Sequence, residues 1–239
     1  PVFVSQAAIM LNGLIDTLMA GRLSALDLAA IGVGSAIFGS VFVTMLGVLL
    51  ALTPIVAQHF GAGRHQEIGE EVRQAVWIAL ALALPVVFLL RHPDPLLAIA
   101  RLTPAMDEKV RAYLSAMTLT VPAAMGLRLF SSFSAGIGRP RPVMMLNLAA
   151  LLLKAPFNAL FMYGGLGLPA FGAAGCGIAS ALCTWIACLL AWLWCARWDE
   201  YREFALFARW SWPDRQRLVE QLKLGLPVGA TFLVDITAF

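Results

Sequence analysis

Between Pro1 and Ile15 the chain carries no charged side chain, and the first one it meets is Asp16. The apolar character resumes through Thr17-Leu18-Met19-Ala20-Gly21. A run of about twenty such residues is long enough to cross a bilayer as a helix. An ionised Asp at the centre of such a helix costs about 2.5–3.5 kcal/mol on insertion scales. Asp16 is therefore a candidate site for a proton, an ion or a cationic substrate. The competing reading is a carboxylate that snorkels to the interface or pairs with a neighbouring helix, since Asp16 lies near the end of its run.

The rest of the composition agrees. The chain is 60% hydrophobic and 13% charged, against about 25% charged in soluble domains, and its mean hydropathy is +0.81. This is the composition of a polytopic all-α membrane protein. The net charge of +3 does not indicate a nucleic-acid partner. The basic residues sit in short loops between apolar runs, as membrane topology requires, with no basic stripe and no interleaved aromatics. Starting at Pro1 without Met and still apolar at Phe239, the sequence is expected to be a fragment of a longer protein. It shows neither the basic n-region nor the processing site of a cleavable signal peptide. Cys176, Cys183, Cys188 and Cys195 share one apolar segment at spacings that match no zinc or redox motif, and they read as small hydrophobes.

Six complete apolar segments are expected, at about 1–20, 32–57, 74–90, 112–135, 143–163 and from 173 to 196. A seventh begins near residue 218. Residues 64–73 read as a charged loop, 91–111 as a polar stretch with three prolines, and 197–217 as a surface-lying helix plus a turn. Ten lysines and arginines fall in the loops on one side and five on the other. The positive-inside rule then places the N-terminus in the cytoplasm and Asp16 toward the outer end of the first helix. Helices 2 and 4 both end on paired glycines and an arginine, Gly61-Ala62-Gly63-Arg64 and Gly136-Ile137-Gly138-Arg139. That echo suits the internal repeats of a transporter, although Gly followed by Arg is also ordinary helix-end chemistry.

Four ionisable residues lie within helices: Asp16, Arg128, Lys154 and Asp235. Such groups face a bundle interior or a wet cavity and pair with one another. Pro156 follows Lys154 by two residues, and Pro227 precedes Asp235 by eight. A proline frees a backbone carbonyl and lets a helix bend, which suits an ion site, but prolines are also frequent in membrane helices generally.

The motif Asp16-Thr17-Leu18-Met19-Ala20-Gly21, then Leu52-Thr53-Pro54-Ile55-Val56-Ala57-Gln58 running into Gly61-Ala62-Gly63-Arg64, resembles the multidrug and toxic compound extrusion (MATE) family. The resemblance continues through Pro156-Phe157-Asn158 to Tyr163-Gly164, Gly175-Cys176-Gly177-Ile178-Ala179 and Gly225-Leu226-Pro227, and is strongest to the bacterial NorM-like branch. It implies a twelve-helix transporter of two six-helix bundles around a cleft, exporting cationic lipophilic compounds by proton or sodium antiport. On that resemblance residues 1–196 form the N-terminal bundle, 197–217 a cytoplasmic linker and 218–239 the start of the second bundle. The resemblance also implies a multi-pass bacterial inner-membrane protein, monomeric, with no cofactor beyond the coupling ion. Asp16 matches the helix-1 carboxylate that binds the coupling cation, and Asn158 matches a helix-5 position that joins it. A sodium ion would accordingly sit at Asp16 and Asn158. Ser180 falls where relatives often carry a coordinating Thr. Asp235, in place of a usual Glu, and Gln58 would face the substrate cleft.

Lys154 departs from that pattern, because many relatives carry an Asn there. A fixed ammonium one turn before Asn158 could occupy the place of sodium, which predicts that Lys154 pairs with Asp16 and that coupling is to protons or has moved to Asp235. Ala135 stands where an acid is expected, which leaves Arg128 without an evident partner. Enzyme readings fit poorly. Neither Asp16 nor Asp235 has the context of an intramembrane aspartyl protease, and His59, His65 and His92 all fall at helix ends or in loops. No filter sequence of a channel is visible. The alternative that remains is a lipid-linked oligosaccharide flippase of the same superfamily, which would want an arginine-rich cleft for an anionic diphosphate.

Overall fold

The computed structural model describes the chain apart from Arg101, Leu166, residues 208–210 and Phe239, and apart from the side chains of Val43, Thr44, Ile99, Glu200 and residues 232–238. The described residues form eleven helices, and the sole β feature among them is an isolated bridge between Gly165 and Leu168.

Helix α1 (Val2–Leu23) hands over to α2 (Ala25–Leu50) through one residue. Ser24 is fully extended and serves both ends. Its N–H donates to Ala20 O, closing α1, while its hydroxyl accepts from Asp27 N at 2.9 Å, opening α2. The N-cap satisfies a donor that the first turn cannot pair internally.

The expected second helix is two. α2 stops at Leu50 and α3 (Leu52–Gly61) continues it past Ala51, whose N–H turns to Val48 O. Pro54 explains the break, since it lacks an N–H for Leu50 O and its ring crowds that carbonyl. The same chemistry divides the fourth span. α6 (Pro104–Thr118) and α7 (Thr120–Gly136) meet at 47° around Leu119, because Pro122, four residues after Thr118, has no N–H for Thr118 O. Between them in the chain come α4 (His65–Arg91) and the short α5 (Asp94–Ala100).

The start of α4 corrects the reading of 64–73 as a loop. His65 begins a continuous helix in which Ile68, Val72, Ala75 and Ala79 form a buried stripe, so the charges of this stretch belong to the first turns of a helix, Glu71 on its buried face, and not to a connection. Likewise the polar stretch 91–111 contains α5 and the first two turns of α6, with Pro104 at the helix start where its missing N–H costs nothing.

α8 (Arg141–Met162) and α9 (Ala173–Arg197) complete the bundle. α8 packs between α1 and α9, and α9 also lies against α6 and α7. Gly175 allows the α8–α9 approach: a Cβ there would sit 2.2 Å from Phe161 O. In place of the surface helix expected for 197–217, the described part of the linker is the four-residue α10 (Asp199–Arg202) and a series of turns. Phe204 anchors it, fully buried and edge-on to Phe133 at 5.4 Å. α11 (Arg215–Ala238) then runs beside α2, where Gly225 lets the two backbones close; a Cβ would meet Val48 O at 2.5 Å.

α1, α2, α4, α8 and α9 are each long and apolar enough to span a membrane, and the bent α6–α7 pair gives a sixth span. The protein is an all-helical, multi-pass membrane protein. α1 is the least covered of them, with Ala8 and Ala20 its buried residues.

Candidate functional site

Three helices bring four polar residues to one point. α1 supplies Asp16, α8 supplies Lys154 and Asn158 one turn apart, and α9 supplies Ser180. Lys154 Nζ lies 3.1 Å from Asp16 Oδ1, and Asn158 Nδ2 donates to the same oxygen at 2.7 Å. On its other side the Lys154 ammonium donates to Ser180 Oγ, whose own proton goes to Cys176 O at 2.8 Å. Lys154 is 4% exposed and Asn158 fully buried. The i, i+4 spacing of Lys154 and Asn158 puts both on the α8 face that meets α1 and α9. Tyr163 ties the end of α8 to α1 through a 2.7 Å bond from its hydroxyl to Met19 O.

The arrangement is a carboxylate, 17% exposed, held by two buried donors. A buried ion pair of this kind survives because each charge has the other and further hydrogen bonds. One atom stays unmatched, since Asn158 Oδ1 is buried with no hydrogen-bond partner.

The other residues singled out from the sequence lie elsewhere. Gln58 is exposed in the last turns of α3, and Asp235 lies outside the residues whose side chains are described. The four cysteines are buried and unbridged within α9. Among the described residues no three His, Cys, Asp or Glu side chains are grouped as metal ligands.

A second polar cluster joins residues of the expected loop 64–73 and linker 197–217 to the starts of the third and seventh segments. Arg73 donates to Glu70 Oε2 at 2.8 Å, to Ser211 Oγ at 2.9 Å and to Ala205 O at 2.7 Å. Gln74 bridges to Trp212 O and Asp214 N, and Glu71 takes Arg217 at 2.5 Å and Gln221 at 2.6 Å. These bonds clamp the linker and the start of α11 onto α4. The signal available was the helical spacing of Ile68, Val72 and Ala75, which places Glu71 and Gln74 on the same buried face.

The MatE family model matches residues 1–160. The chain belongs to the MatE family. It is 39% identical over its whole length to a probable multidrug resistance protein NorM of Aromatoleum aromaticum, of which it covers 52%. It is 36% identical to the multidrug resistance protein PmpM of Pseudomonas aeruginosa, covering 50% of that protein. Among solved structures, the MATE transporter NorM-NG bound to a monobody superposes with a TM-score of 0.80 at 31% identity, over all of this chain and 52% of that one. The chain thus spans about half the length of the relatives it matches, and corresponds to the N-terminal half of a NorM-like MatE protein. That assignment agrees with the fold: a helical bundle ending in a linker and a further helix.

Proposed function

We propose that this MatE chain is the N-terminal lobe of a bacterial inner-membrane exporter of cationic lipophilic drugs, that the exporter is coupled to protons, and that Asp16 is the proton carrier. The observation that supports the reading is the ammonium of Lys154 at 3.1 Å from Asp16 Oδ1. A sodium ion on that oxygen would lie within about 4 Å of the ammonium. At that distance two positive charges repel by about 4 kcal/mol at an effective dielectric of about 20, or about three decades of affinity. The ammonium opposes a proton on the carboxylate as well, but a proton needs no coordination shell beside it: it adds to Asp16 and leaves Lys154 to Ser180. Protonated Asp16 then holds Lys154 less tightly, so the contact between α1 and α8 loosens, and Pro156 on α8 gives that helix a place to bend. Asn158 keeps the carboxylate oriented, and Ser180 keeps the ammonium from leaving the site. The names of the relatives supply the multidrug part of the proposal.

The test uses the full-length transporter in inverted vesicles, with uptake of ethidium driven by either a proton or a sodium gradient. Proton-driven uptake that disappears in Asp16→Asn supports the proposal. Sodium-driven uptake keeps an exporter but overturns the role of Lys154. Uptake with neither gradient would replace the exporter by the flippase reading.

A further inference from the structure

Arg128 is the other basic residue inside a membrane-spanning helix, and its surroundings differ from those of Lys154. It lines, from α7, a half-open cleft of about 200 Å³ between α1, α7 and α8, with Leu50 of α2 and Thr53 of α3 at its wall. Its Nε is buried without a hydrogen-bond partner, and among the described residues its guanidinium forms no ion pair. Among the described residues lining the cavity none is acidic. Arginine cannot escape by losing its proton, and a desolvated, unmatched cation costs several kcal/mol. The rest of the lining is rich in groups that can donate to an anion: Ser5, Thr53, Ser131, Ser132 and Asn147. Three of these are already engaged, Asn147 donating to Ser5 Oγ and Ser132 to Leu49 O, which holds the wall in place.

We propose that this cavity is a binding site for a phosphate-type oxyanion, with the Arg128 guanidinium as its counter-charge and the hydroxyl of Ser131, in the next turn of α7, as a supporting donor. A guanidinium and a hydroxyl lining one cleft offer several donors to the acceptor oxygens of a phosphate group, and charge-assisted bonds of this kind are about twice as strong as neutral ones. The cavity is smaller than the about 300–1,000 Å³ that drug-sized ligands occupy, so it suits an anionic group and not a whole exported compound. The oxyanion can come from solution or from a phospholipid headgroup. Exposed Val2 and Ile9 on its α1 rim would suit the glycerol and acyl part of a lipid.

Ala135 gives the sharpest test. It lies seven residues after Arg128, hence on the same face of α7, and lines the same cavity. A carboxylate placed there would pair with Arg128 internally and compete with any external anion.

The experiment takes the purified full-length transporter and measures binding of inorganic phosphate by calorimetry, and of phosphatidylglycerol by native mass spectrometry. Arg128→Gln, Ser131→Ala and Ala135→Glu are compared with the parent protein. The expected result is binding by the parent that weakens at least tenfold in Arg128→Gln and Ala135→Glu, and severalfold in Ser131→Ala. Phosphate binding identifies a free oxyanion and phosphatidylglycerol binding alone a headgroup; either supports the proposal. Binding of neither, or equal binding by the parent and a folded Ala135→Glu, overturns it. Ala135 is exposed, so this variant keeps the test decisive if Arg128→Gln does not fold.

Discussion

Lys154 on α8 and Arg128 on α7 are both cations inside apolar helices, yet the fold gives one a carboxylate and the other a cavity. Lys154 is fixed from two sides, by Asp16 and Ser180, at the seam of three helices. Arg128 has hydroxyls and amides around it and, among the described residues, no acid. The difference shows that an intramembrane charge announces a site without saying of what sort. A paired charge can switch when its partner is neutralised, and an unpaired one can only recruit.

The largest effect separating the two should come from breaking the pair. Lys154→Met leaves Asp16 with Asn158 alone, and Asp16→Asn leaves the ammonium with Ser180 alone. Either should lower stability by about 3–5 kcal/mol, because a buried charge loses its counter-ion. The double variant should recover much of that loss, giving a large coupling energy in a double-mutant cycle. Unfolding in detergent at neutral pH measures all four corners of the cycle. Strictly additive losses would mean that the two charges do not depend on each other.

A smaller loss is expected from the helix contact that brings the donors to the carboxylate. Gly175→Ala drives a Cβ to 2.2 Å from Phe161 O, one and a half turns before Ser180 on α9. Overpacking of this kind costs about 1–3 kcal/mol. Because the backbone must shift, the bond from Lys154 to Ser180 should lengthen too, and ethidium export should fall more than stability alone accounts for. A variant with unchanged stability and export would show that α9 is not what positions the site.

Arg128→Met should run the other way. In phosphate-free detergent, with phospholipid removed, it takes out a desolvated charge that nothing in the described structure balances. Stability should change by no more than about 1 kcal/mol or should rise, as replacing buried charges by apolar groups often does. A loss as large as that of Lys154→Met would reveal an internal counter-charge for Arg128 and erase the contrast between the two residues.

Much of this was readable in advance, and the failures are instructive. Apolar run length located the spans, and the lone charges within them marked Asp16, Lys154 and Arg128. What hydropathy could not supply was the continuation of helices through polar residues. The first turns of α4 carry Glu67, Glu70, Glu71 and Arg73, so an apolarity criterion started the helix at 74, although Ile68 and Val72 already keep the helical period. The Glu71–Arg217 and Arg73–Ser211 contacts were hidden for the same reason, being contacts between segments more than 130 residues apart. The breaks at Ala51 and Leu119 were written in Pro54 and Pro122, four residues downstream in chain order of the carbonyls they displace. The cavity at Arg128 had no sequence signature at all, because it is made where α1, α7 and α8 meet.

The smallest effect belongs to an ion pair in the open, and it sets the scale for the buried one. Asp94 Oδ1 in α5 accepts from Arg111 at 2.7 Å, with both side chains well exposed. The guanidinium of Arg111 holds the Asp94 carboxyl below its ordinary range. A carboxyl lowered on folding stabilises the folded state at pH values above its ordinary range, and that contribution disappears as the pH falls through the lowered value. The acid limb of the melting curve, followed from about pH 5 to pH 2, should therefore be slightly shallower in Asp94→Asn. The difference should vanish in about 1 M salt, where the screening length is about 3 Å. The coupling between Asp16 and Lys154, measured in the same salt, should mostly persist, since the lysine is buried and the carboxylate only 17% exposed. If salt removed that coupling as well, Asp16 would be in contact with bulk solvent, and the argument that Lys154 keeps sodium from its carboxylate would lose its low-dielectric basis.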